Sequence, residues 1–597
     1  MIKTFSRILE LIEKKQRGKF LGLAFLVLLM GLFEVIGVSS LIPFLDLVAV
    51  GNVNEIGGIT KTIYEFLDLD NFNSFLYLTG ISVLFLILVS NFLRALVLFV
   101  SARFVWKNQA RMAIRLHTSI LMRPYEEFSL ENSAESAKDI LVETERFVTG
   151  LMQPLLTIFS QIVICTSLIV VLCLYDLSIT IIVVISTLAI FGIFSLVIHK
   201  PLYSMGRKRF EATEDRFQSV DEALSGIKLI KLMNKELFFA EQLKKPSFEF
   251  ADAMAYMTVV RNLPRYIFEV IVFGTIIVLL LFSIGDGSNL QEMAPTLGLF
   301  AFAGFRLLPS VSQLYQAYNN LTFNSVVLDK LYMERKLSND LPELTKVTTE
   351  LEGSDSYSFH FEDVSFNYKS SDKIVLKDIS LRLDSPLFIG VIGPTGSGKS
   401  TFIDLLLGLI EPSSGQIFLN NTLYNESLRN EMALKTGYVP QEVYLFDNTI
   451  AANIALGVNE SDIDMSRIEA VARLADIDDF IINQLPDGYD SSVGERGSRL
   501  SGGQVQRIGI ARALYNHPEI LILDEGTSNL DQTTESKILK NIKEDKTIKM
   551  LIIIAHRLKA TEDCDYLIFF KDGLITDQGT FKELSDRNLD FREMIKS

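Results

Sequence analysis

Apolar and polar residues separate strongly along this chain. Apolar windows near 20–50, 74–105, 148–174, 177–199, 262–284 and 295–322 reach or exceed the ~20 residues that cross a bilayer as a helix. Six membrane spans are therefore expected. Several windows are longer than a bilayer needs, so the helices are expected to continue into water. Long basic stretches follow span two ("WKNQARMAIRLHTSILMR") and span four ("HKPLYSMGRKRFEATEDR"). The loop after span one carries Glu55, Glu65, Asp68 and Asp70 against Lys61, and "GDGSNLQEMAP" after span five is also acidic. The excess of Lys and Arg on one side places both termini in the cytoplasm.

Shorter patterns add two amphipathic helices. In the N-terminal segment Ile2, Phe5, Ile8, Leu9 and Ile12 share a face, which reads as a helix lying in the membrane interface. No short apolar region with a small-residue cleavage site follows, so it is not read as a signal peptide. In the first external loop Ile59, Ile63, Phe66 and Leu67 give a second helix, about 59–72, at the outer surface or packed as an ordinary loop helix. The polar stretch 336–355 carries Pro342 and reads as a linker. The expected organisation is a transmembrane domain over 1–335, that linker, and a soluble α/β domain over 356–597.

Composition agrees with this division. The chain has 597 residues, 49% hydrophobic yet 22% charged, which fits only if the two classes segregate. A net charge of −15 argues against a nucleic-acid partner. Cys165, Cys173 and Cys564 give neither a disulfide framework nor zinc spacing.

The soluble half carries its chemistry openly. "VIGPTGSGKST" lies between an apolar run and the helical pattern "FIDLLLGLI". This is a P-loop: Gly393, Thr395, Gly396, Ser397 and Gly398 turn backbone N–H groups toward phosphate. Lys399 reaches the β- and γ-phosphates, the Ser400 hydroxyl binds Mg²⁺, and Thr401 opens the helix. Farther on, the apolar strand of "EILILDEGTSNLD" delivers Asp524 as a Mg²⁺ holder and Glu525 as the base that polarises water. In "RLSGGQVQRIGIARAL", Ser501, Gly502, Gly503 and Gln504 open a helix and form a second anion site. Two phosphate sites far apart in one chain imply two copies facing each other, each completing the other's nucleotide site.

In this order and spacing the motifs resemble the ATP-binding domain of ABC transporters. Six spans followed by one such domain is the layout of an exporter-type half-transporter. The resulting fold class is a polytopic helical membrane domain fused to a P-loop α/β domain. The resemblance implies ATP and Mg²⁺ as cofactors, a homodimer, and a bacterial-type inner membrane with the ATP-binding domain in the cytoplasm. It also implies residue roles. Tyr368 stacks on adenine, and Gln441 touches Mg²⁺ and the membrane domain. "VGERG" (493–497) senses coupling helices, Asp531 is the D-loop aspartate, and His556 is the switch histidine at the γ-phosphate. Lys399, Glu525, His556 and Gln441 form the expected catalytic set. Coupling helices are expected in 123–135 and 221–232. "DEGTSNLD" has Gly526 and Asn529 where many relatives carry alanine.

The cargo must be read from the spans. Arg306 lies ~15 Å down span six at 1.5 Å per residue, close to the midplane. Arg94 lies in span two, and Arg261 and Arg265 share a face at the entrance of span five. Two readings stay open for Arg306: a salt bridge to Glu34 in span one, or a ligand for an anionic headgroup in a polar cavity. For Arg265 the plain alternative is snorkelling to the inner headgroups. Arginines at these positions and "FRLLPSVSQL" resemble PglK-type flippases of lipid-linked oligosaccharides. That resemblance implies a polyprenyl-diphosphate cargo whose charged head meets Arg94, Arg261 or Arg265, and Arg306. The alternatives are an exporter of another amphiphile, such as a lipid A-type lipid, a drug or a peptide, and a non-transporting sensor ATPase.

Overall fold

The computed structural model describes residues 2–11, 14–41, 44, 47–48, 72–128, 133–175, 177–285, 290–339, 356–369, 373–555 and 561–596. The external helix expected at about 59–72 lies outside them, save that Phe72 opens a long helix. The chain divides into two units, one of residues 1–123 and 130–341, the other of 124–129 and 342–597.

Among the described residues the first unit has helices and no strand. Its elements are α1 (Ile2–Leu11), α2 (Arg17–Ser39), α3 (Phe72–Leu121), α4 (Gln153–Tyr175), α5 (Leu177–Ser225), α6 (Glu236–Gly285), α7 (Leu290–Phe323) and α8 (Ser325–Asn339). Among the described residues four segments are long and apolar enough to cross a membrane: Arg17–Ser39, Phe72–Leu121, Ala134–Leu174 and Thr180–Ser225. The expected fifth and sixth spans fall on α6 and α7. At 1.5 Å per residue the 50 residues of α3 run ~75 Å, far beyond a bilayer. Many large apolar side chains are exposed on these helices, as expected where lipid rather than water is the solvent.

α2 approaches α4 closely at Gly31. A Cβ there would lie 2.3 Å from Val163 Cγ1, so only glycine permits this contact. Around it Val27, Met30, Val97, Ile164, Leu168 and Ala303 form an apolar cluster joining α2, α3, α4 and α7.

α1 departs from the interfacial reading. Ile8 and Leu11 are buried within the cluster that holds Leu328 and Leu331 of α8. Arg7 pairs with Asp329 at 2.6 Å, and Tyr332 donates to Glu10 at 2.9 Å. The amphipathic face is covered by protein because a partner helix lies within reach. The linker expectation also needs a change of boundary, since α8 runs to Asn339, into the stretch 336–355.

Ahead of α4, the helical residues Asp139–Glu143 and Val148–Met152 form wide i→i+5 turns. Here charges are buried. Lys138 pairs with Glu214 at 2.8 Å, and Lys330 with Glu135 at 2.6 Å and Asp139 at 2.7 Å. Arg209 lies 4.0 Å from Glu143, both almost fully buried.

The second unit is built on two sheets. An antiparallel sheet has the order β2-β1-β4-β5, with β1 (Ser358–Asn367), β2 (Ile374–Asp384), β4 (Ser414–Leu419) and β5 (Thr422–Leu423). A six-stranded sheet has the order β10-β9-β3-β8-β7-β6. Its members are β3 (Leu387–Ile392), β6 (Thr436–Val439), β7 (Ile520–Asp524), β8 (Met550–Ile554), β9 (Tyr566–Lys571) and β10 (Leu574–Gly579). Only β10 is antiparallel to its neighbour. Every residue of β7 and β8 is buried, as the uninterrupted runs "ILILD" and "MLIII" require of central parallel strands. In such a sheet, ligands bind beyond the carboxyl ends of the strands.

Candidate ATP site and charged cluster in the spans

The carboxyl ends of β3, β6 and β7 gather the predicted nucleotide residues. β3 leads into the P-loop and then into α9 (Lys399–Leu406), with Gly398 at φ 103° ahead of the helix. Gly393 has φ 146°, and a Cβ there would stand 2.1 Å from the Phe570 carbonyl oxygen. The loop can therefore close only around glycine. Lys399 is buried and its Nζ donates to the carbonyls of Gly393 (2.8 Å) and Pro394 (2.9 Å), so the ammonium is folded over the loop. Burial lowers its pKa, while Glu525 and Asp524 act the other way. The Ser397 hydroxyl is buried without a hydrogen-bond partner, an orphan that a phosphate oxygen would satisfy. Ser400 and Gly396 are exposed in the same loop, as is Thr395.

Register explains the next pair. Val439 of β6 stands opposite Leu523 of β7, so Gln441 and Glu525 leave the sheet side by side. Gln441 Nε2 donates to Glu525 Oε2 at 2.9 Å. Glu525 has φ 51°, a left-handed conformation uncommon outside glycine. Its N–H donates to the Ile554 carbonyl at 3.2 Å, and its own carbonyl accepts from Gln506 at 3.3 Å. The Tyr438 hydroxyl lies 3.4 Å from Asp524. Ser400, Gln441 and Asp524 offer oxygen donors of the kind a hard cation takes. The Tyr368 hydroxyl lies 3.3 Å from Thr401, with the ring edge-on to Phe366.

The second anion motif opens α10 (Gly502–Tyr515). Ser501 caps the helix, and the Gln504 side chain accepts from the Ser501 N–H at 2.8 Å. Gln504 thus shapes the helix start, while the exposed Ser501 and Gly502 present it. Gln506 ties this helix to the loop after β7, donating to Ser528 and accepting from the Asn529 N–H. Asp531 caps α11 (Gln532–Glu544). Hydrogen bonds from Thr533 and Thr534 hold its carboxyl well below the ordinary range. His556 lies outside the described residues.

The segment 124–129 belongs to this unit, within the stretch expected to hold a coupling helix. Its short helix Tyr125–Phe128 meets the nucleotide edge. The Lys369 N–H donates to Glu126 at 3.0 Å. Burial first, then Asp404 and Tyr368, raise the Tyr125 pKa.

In the first unit Glu34 is the hub of the intramembrane charges. Arg94 lies 2.7 Å from Glu34 Oε1, Arg306 lies 3.3 Å from the same oxygen, and the Ser90 hydroxyl donates to Oε2 at 2.7 Å. Glu34 is 1% exposed, Arg306 14% and Arg94 30%. Arg306 also lies over the Phe302 ring at 5.7 Å. The Glu34 pairing expected as one reading of Arg306 is present, and it extends to Arg94, which the sequence reading had not paired. Arg265 pairs instead along α6 with Glu269 at 3.0 Å, and Arg261 is exposed one turn earlier. Among the described residues neither of these two joins the Glu34 cluster.

Sequence reasoning missed Ser90, Tyr438 and Gln506. Ser90 had a signal in hindsight, since it precedes Arg94 by one helical turn. Tyr438 and Gln506 act through tertiary contacts that no local pattern marks.

Comparison with known proteins agrees with this geometry. Residues 376–528 match the model of the ABC transporter family, and residues 20–285 match that of the ABC transporter transmembrane region. An ATP-dependent lipid A-core flippase of Ralstonia nicotianae is 27% identical over 80% of each chain. ABC transporter B family member 29, chloroplastic, of Arabidopsis thaliana is 33% identical over 65% of this chain and 60% of its own length. The solved structure of a bacterial Atm1-family ABC exporter with ATP bound superposes with a TM-score of 0.79. At 23% identity, the match covers 97% of this chain and 98% of that one. Both halves of the chain thus match the same family, one as its membrane region and one as its ATP-hydrolysing domain: the protein is an ABC exporter half-transporter, which couples ATP hydrolysis to transport.

Proposed function

We propose that this exporter is a flippase for a lipid with a phosphorylated headgroup, most specifically a polyprenyl-diphosphate oligosaccharide, carried from the inner to the outer leaflet of a bacterial-type cell membrane. One observation carries the reading. Two arginines from α3 and α7 converge on a single buried glutamate of α2, leaving one positive charge in excess inside the apolar bundle. A guanidinium fork suits phosphate oxygens, and an uncompensated charge within a span is costly, so its presence points to a function. Arg261 and Arg265, midway along α6 where its apolar stretch begins, offer a first contact for the same head. The apolar tail stays in lipid while the head takes the polar path.

The working unit is a homodimer. Leu229, Leu232 and Leu237, at the turn between α5 and α6, are 61–87% exposed, an apolar tip suited to a second copy. Ser501 and Gly502 of each copy complete the partner's nucleotide site. Ser400, Gln441 and Asp524 would hold Mg²⁺, which would supply charge neutralisation at the phosphates. Glu525 accepts the proton of the attacking water and Gln441 orients the Glu525 carboxylate. Lys399 binds the phosphates, Tyr368 the adenine, and His556 the γ-phosphate. Nucleotide binding draws the two ATP-binding domains together, and hydrolysis resets them.

A second reading rests on the similarity to lipid A-core flippases across 80% of the chain. A lipid A-type lipid also bears phosphates, so the cluster serves both cargoes. ATPase activity in proteoliposomes separates them. Stimulation by a polyprenyl-diphosphate oligosaccharide but not by a lipid A-type lipid supports the first; the reverse supports the second. Stimulation by neutral amphiphiles alone would remove both.

A further inference from the structure

Glu34 does more than neutralise charge. Its Oε1 lies within ion-pair distance of both guanidinium groups, yet it accepts a well-aligned hydrogen bond from neither. The Arg94 Nε is likewise buried without an acceptor. The attraction between the three groups is therefore largely electrostatic, and the Arg94 Nε–H is left for another acceptor. The carboxylate itself is positioned by Ser90, whose hydroxyl donates to the other oxygen at 2.7 Å.

We propose that Glu34 is the resident anion of the headgroup site, and that the phosphorylated head of the cargo displaces it from Arg94 and Arg306. This deepens the reading of the arginines as headgroup ligands and rests on it. The charge balance gives the reason. Two guanidinium groups match a doubly charged phosphate head, but with Glu34 still between them the loaded site would hold an excess negative charge in an apolar shell. Head and carboxylate therefore exclude each other. With the head gone, the carboxylate returns and spares the bundle two bare cations. Competition with a tethered anion weakens binding, and that weakness permits release.

The test is binding of radiolabelled undecaprenyl diphosphate to the full-length protein in nanodiscs of phosphatidylcholine, with ATPase stimulation measured in parallel. Glu34→Gln removes the competing charge and keeps the shape; its affinity is expected to rise at least tenfold. Ser90→Ala leaves every charge in place and frees only the carboxylate, with an expected gain of two- to fivefold. It serves if Glu34→Gln does not fold. Arg94→Gln with Arg306→Gln is expected to abolish binding. Unchanged or weaker binding in both Glu34→Gln and Ser90→Ala, with clear binding by the wild type, would overturn the displacement and leave Glu34 a brace. Failure of the diphosphate lipid to bind wild type and every variant would overturn the headgroup reading itself, and this inference with it.

Discussion

Gln441 donates a hydrogen bond from Nε2 to Glu525 Oε2 at 2.9 Å, joining the end of β6 to the end of β7. The bond ties the proposed general base to a residue on a neighbouring loop. Glu525→Gln should lower ATP turnover by at least ~10²-fold while nucleotide binding persists, because only the base is lost. Gln441→Ala leaves the base in place but unoriented, and a loss of about tenfold is expected. Phosphate release beside equilibrium nucleotide binding checks both. Equal losses in the two variants would contradict this division of roles.

Gly526 follows Glu525, and a Cβ there would stand 2.8 Å from Val439 Cγ1. An alanine at this position does not fit behind this valine. Gly526→Ala should destabilise the ATP-binding domain by about 1 kcal/mol through overpacking. Val439→Ala in the same molecule should recover part of the loss, with a coupling of ~0.5 kcal/mol or more in a double-mutant cycle. Thermal unfolding of the four proteins checks it, and strict additivity would exclude the clash.

Asp404 sits half-buried on α9, and burial followed by the nearby charge of Asp524 pushes its carboxyl up to about 6. A carboxyl raised in the folded state favours folding below its unfolded value, near 3.8, and that contribution fades as pH rises through 6. At neutral pH the ionised form is a cost, of order 1 kcal/mol after allowance for partial exposure. Asp404→Asn should therefore raise the unfolding temperature of the nucleotide-free protein at pH 7.5 and have little effect near pH 4.5. A stabilisation independent of pH would point to another cause.

Arg209 and Glu143 form an almost fully buried pair at 4.0 Å, with neither side chain hydrogen-bonded in its charged atoms. Removing one partner strands the other charge, at a cost of roughly 3–5 kcal/mol. Glu143→Ala should sharply lower thermal stability in detergent. Arg209→Met combined with Glu143→Leu should restore most of it, since neither charge then remains. A double variant as unstable as the single one would show that the pair does more than satisfy itself.

Sequence legibility followed locality. The P-loop, Asp524–Glu525 and the start of α10 lie in short continuous motifs, because backbone geometry around a phosphate must be built from neighbouring residues. The long apolar helices were legible because a bilayer imposes length and apolarity on each helix separately. The Glu34 partnership with Arg306 was one of two open readings, and depth alone suggested it. Arg94 could not be paired from sequence, since lateral proximity between α2 and α3 depends on packing. The buried charges at Lys138, Glu143 and Arg209 resemble ordinary solvated positions when read along the chain. Only the packing of α5 and α8 against them takes them out of water. The covering of α1 by α8 went unread for the same reason.

The two wide turns ahead of α4 have a geometric consequence of their own. Each adds about one residue to a helical path, and one residue rotates everything beyond it by ~100°. Two in series turn the helix by about 200°, so its two ends do not share a continuous stripe. Asp139 and Glu143 below can face the buried charges of α5 and α8, while Leu168 and Leu172 above pack into the apolar cluster beside Glu34. The helix thus behaves as two rotationally independent pieces, each phased to its own neighbours, and deleting one residue from either turn would put the pieces out of phase.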